Sequence, residues 1–153
     1  MELETKSSAS QEDRVLPAPM SNRDFDFFYE GLALGELRVQ KCDDCGTVRN
    51  PPAPMCPHCR SLKWTALKCS GTGKVFSFTT HHHPPLPNFA TPHTVILVDM
   101  AEGFRLVGSL PGVDSLGIQI GISVRVQFVR RGDVATFHFL PVDGRRAERA
   151  TKP

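Results

Sequence analysis

The chain has no long hydrophobic run, no strong excess of charge, and none of the short motifs that announce catalysis. No apolar stretch approaches the ~20 residues that a membrane-spanning helix requires, which excludes an integral helical membrane protein. A net charge of +2 over 153 residues excludes a chain that binds polyanions through its overall field. No Gly-rich phosphate loop follows a strand, no serine elbow is present, and no paired carboxylates fall in a candidate cleft. The residues therefore assign no reaction to this chain by itself. Met1 to Arg14 holds Glu2, Glu4, Glu12 and Asp13 without an apolar core, which does not read as a secretory signal. A soluble, cytoplasmic protein is expected.

Cysteine is scarce too, with 5 in the chain, but four of them are patterned. They form two tight pairs, Cys42-Asp-Asp-Cys45-Gly and Cys56-Pro-His-Cys59. A two-residue gap lets both thiolates of a knuckle point at one ion, and the spacer between the pairs suits a short hairpin. Four thiolates close a tetrahedral zinc site at about 2.3 Å per bond and leave no open position for water. One structural Zn2+ is expected, held by Cys42, Cys45, Cys56 and Cys59. Redox chemistry of a single Cys-x-x-Cys pair is the competing reading, and it would not require a second pair at ribbon spacing. Cys69 has no cluster of partners and reads as a buried or idle thiol.

The rest of the chain divides by pattern. Residues 1–21 carry Ser, Pro and charge without periodicity and are expected to be disordered. Residues 22–36 predict a helix capped by Ser21 or Asn22, with Phe25, Phe28, Tyr29 and Leu32 on one apolar stripe. Its aromatic face packs on its own domain or on a partner. Residues 37–69 form the ribbon, in which Gly46 suits the left-handed turn after Cys45 and Arg60 stands at the equivalent place after Cys59. Five runs follow, Gly73–His82, His93–Met100, Gly103–Leu110, Ser123–Arg131 and Val134–Leu140, rich in β-branched and aromatic residues. In the first, alternation puts Val75, Ser77 and Thr79 opposite Phe76, Phe78 and Thr80. Five strands with these breaks predict a Greek-key barrel of OB type over 70–142, a small sandwich being the alternative. Residues 143–153 read as a flexible tail. The fold class is mainly β: an N-terminal helix, a rubredoxin-like four-cysteine zinc ribbon, and a five-stranded OB-fold barrel.

Two further features bear on function. His81, His82 and His83 precede Pro84-Pro85, and no Asp or Glu lies nearby in sequence to orient them as catalytic or metal-bound imidazoles. A contact loop containing His83 and Phe89 is the favoured reading, over an exposed loop or a second metal site. The ribbon is mildly basic, which suits phosphate groups or is simply a solvated face. A zinc ribbon beside an OB barrel also suits a single-stranded nucleic-acid-binding module. The near-neutral barrel lacks the basic groove such modules need, and its phenylalanines read as core.

The order of these pieces resembles one known architecture. It runs through Phe28-Tyr29-Glu30-Gly31-Leu32, Gly35-Glu36-Leu37, Gln40 to Gly46, Cys56 to Cys59, Gly71-Thr72-Gly73-Lys74-Val75-Phe76-Ser77, His82 to Pro85, and Leu106 to Asp114. The chain resembles the stand-alone zinc-ribbon/OB-fold proteins associated with acyl-CoA metabolism and thiolases, over about residues 25–142. The resemblance implies an accessory subunit without catalytic residues of its own, in a hetero-oligomer with a thiolase-superfamily enzyme. Such partners include thiolases, acyltransferases and thiolase-like aldolases, which make or break carbon–carbon bonds. It implies a helix and ribbon that clamp the enzyme, and a barrel that helps shape the entrance for a coenzyme A thioester shared with it. Candidate contacts to partner or acyl-CoA are Phe25, Phe28, Tyr29, His83 and Phe89. Arg49, Arg60, Lys63 and Arg105 are added by charge alone. Neither a membrane nor nucleic acid is an expected partner.

Overall fold

A computed structural model describes residues 23–85, 91–113 and 117–142. The segment expected to be disordered (1–21), the tail (143–153) and Phe89 lie outside the described residues. Helix α1 spans Asp26–Ala33. Phe25 stands at its N-cap without a side-chain hydrogen bond, and Asp26 supplies the acidic first turn that the helix dipole favours. Ser21 and Asn22, the expected caps, are outside the described residues. The helix ends in a Schellman motif: Glu36 N–H donates to Gly31 O at 2.8 Å and Gly35 N–H to Leu32 O at 3.1 Å. Glu36 then pairs with Arg38 at 2.6 Å and Lys68 at 3.0 Å, tying the helix end to the ribbon. Lys68 and Arg38 hold its carboxyl below the usual carboxylate range.

The ribbon is a three-stranded antiparallel sheet of β1 (Arg38–Cys42), β2 (Val48–Arg49) and β3 (Trp64–Lys68), in the order β2-β1-β3. Five strands follow: β4 (Thr72–His81), β5 (His93–Met100), β6 (Arg105–Ser109), β7 (Ser123–Arg131) and β8 (Val134–Pro141). Their order is β6-β5-β4-β7-β8, with every pair antiparallel. The long β4 is shared between β5 and β7, and the two edges β6 and β8 touch to close the barrel. Gly108 makes that closure possible. A Cβ there would stand 2.7 Å from Cε2 of Phe139, so only a residue without a side chain lets the edges meet. This is the expected OB-type barrel.

One detail of β4 departs from strict alternation. The register with β5 shifts between Val75 and Ser77, a bulge at Phe76. An extra residue reverses the inside–outside pattern beyond it. Val75 is buried, and Phe78, which alternation places on the opposite face, also packs against the core. Phe76 is left outside, 41% exposed.

Helix, ribbon and barrel share one core. Leu37 and Val39 on the ribbon side join Val75, Ile96, Val98, Leu106, Val124 and Phe139 in the same buried cluster. On the helix, Leu32 is buried and Phe25, Phe28 and Tyr29 are half-buried. Phe28 packs edge-on against Phe137 of β8 at 6.4 Å, and Phe27 leans on Trp64 of β3 at 4.8 Å. No helix among the described residues is long and apolar enough to cross a membrane.

Candidate metal centre and its surroundings

The two knuckles are built alike. Cys42 N–H donates to Thr47 O and Gly46 N–H returns to Cys42 O, both at 2.9 Å. In the second, Cys56 N–H donates to Ser61 O at 2.8 Å and Arg60 N–H returns to Cys56 O at 2.9 Å. These bonds curl each loop so that its two sulfurs face the same point. All four Sγ atoms lie within 4.8 Å of one another, with Cys42 to Cys59 at 3.5 Å and Cys45 to Cys56 at 3.6 Å. A tetrahedron with bonds of about 2.3 Å has edges of about 3.8 Å, so the sulfur cage fits zinc without rearrangement.

The charge distribution makes the same point. Hydrogen bonds from Thr47 pull the Cys45 thiol down to about 5. The Ser61 amide favours the Cys59 thiolate, yet the neighbouring Cys45 sulfur, burial and the other two cysteines push Cys59 up to about 12. Four thiolates at this spacing cannot coexist without a cation among them, and a divalent ion removes the conflict. Every position around that ion is a protein sulfur, so the centre would hold the ribbon and activate nothing. Cys69 stays apart: burial, with some help from Glu102, pushes its thiol up to about 12, far from a nucleophile's range.

Gly46 and Arg60 both adopt left-handed backbone, with φ of 74° and 63°. Glycine does so freely, whereas a side chain costs on the order of 1 kcal/mol. Arg60→Gly should therefore raise the thermal midpoint of the zinc-loaded chain by about 2–4 °C. Calorimetry checks this, and a midpoint that fell would refute it.

The other candidate residues do not gather at one place. His83 is exposed in the turn after β4, and Arg60 and Lys63 are exposed beside the second knuckle. Arg105 lies on β6 with its guanidinium 3.5 Å above the Phe76 ring and its Nε 2.8 Å from Asp99. Arg49, added for its charge, is in the interior at 5% exposure. His81 donates through Nε2 to Pro84 O at 2.6 Å and stands opposite His93, whose own ring nitrogen is 3.3 Å from Ser109 Oγ. Sequence distance hid the His93 and Ser109 neighbours. Burial, followed by the nearby charge of His81 and Arg131, holds the His93 imidazole below its usual range. Among the described residues, the four cysteines are the group that could hold a metal, and these histidines do not form a second.

Two surface features remain. Met55 (48% exposed) and Leu62 (70%) bracket the second knuckle, and Leu34 (69%) crowns the end of α1. Of the barrel phenylalanines, Phe104 and Phe139 are buried, and Phe78, Phe128 and Phe137 pack on the core. Phe76 is exposed, but Arg105 already occupies its face. No row of free aromatic faces is offered by the described residues.

Comparison with known proteins matches two consecutive family descriptions. Residues 30–65 match the ChsH2 rubredoxin-like zinc ribbon domain, and residues 67–129 the ChsH2 C-terminal OB-fold domain. A probable enoyl-CoA hydratase alpha subunit of Thermomonospora curvata is 41% identical over 120 residues, covering 78% of this chain and 38% of that protein. The 3-oxo-4,17-pregnadiene-20-carboxyl-CoA hydratase alpha subunit of Mycobacterium tuberculosis is 37% identical, covering 80% and 39%. The chain thus spans about two fifths of these two relatives' length. A DUF35 domain-containing scaffold protein of Methanothermobacter thermautotrophicus is 34% identical, covering 60% of this chain and 71% of that one. Among solved structures, a chain of the Ltp2-ChsH2(DUF35) aldolase superposes with a TM-score of 0.76 at 40% identity, covering 80% of this chain and 98% of that chain.

Proposed function

Since the chain belongs to the DUF35 family of ChsH2-type zinc-ribbon and OB-fold proteins, we propose that it is a zinc-binding accessory subunit of an acyl-CoA enzyme complex. The partner in this reading is a thiolase-like enzyme whose own cysteine or acid–base residues make or break the carbon–carbon bond. The ribbon and helix dock on the partner, and the barrel supplies part of the wall that orders a coenzyme A thioester. Rigid walls supplied from outside raise a partner's rate by holding a flexible substrate in reactive geometry. The observation that carries the reading is the closed centre: four sulfurs fill the metal's coordination and leave the chain a structural rather than a chemical role. The names of the relatives support it, two being subunits of acyl-CoA hydratases and one structure belonging to an aldolase.

Met55, Leu62 and Leu34 are the apolar contacts this docking would cover. Half-buried Phe25 and Tyr29 of the helix region, exposed Arg60 and Lys63 beside the second knuckle, and exposed His83 in the turn after β4 would add separate contacts. Tagged chain recovered from its native cell should bring down a thiolase-superfamily enzyme in fixed ratio. The double variant Met55→Glu/Leu62→Glu should keep its zinc and its fold yet weaken that association by about 10- to 100-fold, the scale of losing interfacial anchors. Full acyl-CoA turnover by the isolated chain would sink the proposal, as would undiminished association of the double variant.

A further inference from the structure

Gln40 and Arg49 stand directly opposite each other across β1 and β2. Opposed residues of an antiparallel pair share a face, with Cβ atoms about 5 Å apart. Both are interior: Gln40 is 0% exposed and Arg49 5%. The Ala53 amide donates to Gln40 Oε1 at 2.9 Å. A backbone N–H can only donate, so this bond fixes which end of the side-chain amide is oxygen and turns its NH2 group away from Ala53. That Nε2 has no hydrogen-bond partner, and neither have Nε, Nη1 and Nη2 of Arg49. Each of these unpaired buried atoms is a donor, and the cysteine sulfurs are not hydrogen-bonded to any of them. The ion pairs formed among the described residues join Arg38, Lys68 and Arg105 to carboxylates and leave Arg49 out. A guanidinium is among the costliest groups to bury without an acceptor.

We propose that Arg49 and Gln40 form an oxyanion site, closed over by the segment Asn50–Met55, that takes a phosphate group. The guanidinium presents a planar fork that two oxygens satisfy, and the Gln40 amide supplies a further donor alongside it. A phosphate gives the fork two oxygens, keeps a further oxygen for the amide, and brings more negative charge to the buried guanidinium than a carboxylate does. The covering segment is lightly fastened. Asn50 Nδ2 donates to Arg105 O at 2.7 Å and Ala53 N–H to Gln40. Pro51, Pro52 and Pro54 have no N–H to lose when the segment lifts. The phosphate can be free or can belong to a coenzyme A thioester, and the site stands independently of which enzyme the chain joins.

The test is the thermal midpoint of the zinc-loaded full chain, titrated with inorganic phosphate at an ionic strength held constant with chloride. The midpoint should climb with the logarithm of phosphate, by about 5–10 °C at ~100-fold above the dissociation constant. Arg49→Met should lose that climb, keep one zinc per chain, and melt no lower than the unaltered chain in phosphate-free buffer, because an unpaired charge has been removed. Gln40→Glu offers Arg49 an internal carboxylate, so it should also lose the climb and melt higher without phosphate. Coenzyme A and its 3′-dephospho form separate the sources. Stabilisation by the former alone, dependent on Arg49, assigns the site to the cofactor's ribose phosphate, and a response to inorganic phosphate with none to coenzyme A assigns it to the free ion. An unaltered chain that responds to neither probe overturns the proposal. So do variants that respond as the unaltered chain does, or an Arg49→Met chain that loses zinc or melts lower in phosphate-free buffer.

Discussion

Exchanging Cys56 for serine will cost the chain its zinc and, with it, the ordered ribbon. Serine preserves the size of the side chain and the backbone bonds to Ser61 and Arg60, so the change isolates the thiolate. Binding of zinc to four-ligand structural sites is worth about 10–16 kcal/mol, comparable to or larger than the 5–15 kcal/mol by which a whole domain is stable. The ribbon has little else to hold it: three short strands, one of them the two-residue β2. The loss will not stay local. Leu37 and Val39 lie in the core they share with the barrel, so a loosened ribbon uncovers barrel side chains as well. Trp64, the 1 tryptophan of the chain, reports the event because it leans on Phe27 between ribbon and helix. Its emission should move to the red in Cys56→Ser, and in the unaltered chain after chelation. Metal content should drop from one zinc per chain to none. One retained zinc together with an unchanged midpoint would contradict the structural role assigned to the centre.

Phe139→Ala should be the most damaging change away from the metal. The ring is 0% exposed, meets Phe137 edge-on at 5.8 Å, and fills the seam where β8 touches β6. Truncating a buried Phe costs about 3–5 kcal/mol, or about 6–20 °C in midpoint for a chain of this length. Zinc should be retained, since the ribbon keeps its ligands. The neighbouring glycine supplies the control. A Cβ at position 108 would collide with this ring, so Gly108→Ala is destabilising alone but should be partly rescued when Phe139 is also alanine. Strict additivity of the two changes would mean the seam is not packed as described.

Several parts of this structure were legible in the chain because each rests on a local rule. The spacing of the two cysteine pairs is the geometry of the sulfur cage. The five barrel strands fall at the five expected runs, since β-branched and aromatic residues between turn signals need little tertiary context. The left-handed residue after Cys59 was legible too, by analogy with Gly46, even though arginine occupies it. What could not be read depends on how many residues of one strand oppose another. The bulge at Phe76 leaves no mark in composition, yet it turns Phe78 inward, onto the core that Val75 also faces. Arg49 misled for another reason. A lone cation in a proline-flanked hairpin gives no sign of burial, yet Arg49 stands in the interior at 5% exposure, opposite the equally buried Gln40. The proximity of His81 to His93 and Ser109 is likewise a product of strand pairing.

The packing of α1 against β8 has a consequence for how the protein is made. Chains leave the ribosome from the amino end and domains fold as they emerge. All four zinc ligands emerge early, so the knuckles can capture their ion while the barrel is still unmade. Phe28 finds Phe137 only after the last described strand has been synthesised, whereas Arg130, which reaches Ala33 O at 3.4 Å, is made one strand earlier on β7. Until then the nascent chain carries its metal knot beside a helix whose Phe27 can rest on Trp64 but whose Phe28 has no β8 to meet. A ribosome stalled before β8 would hold a chain with all four zinc ligands already made and the Phe28 edge of α1 still bare.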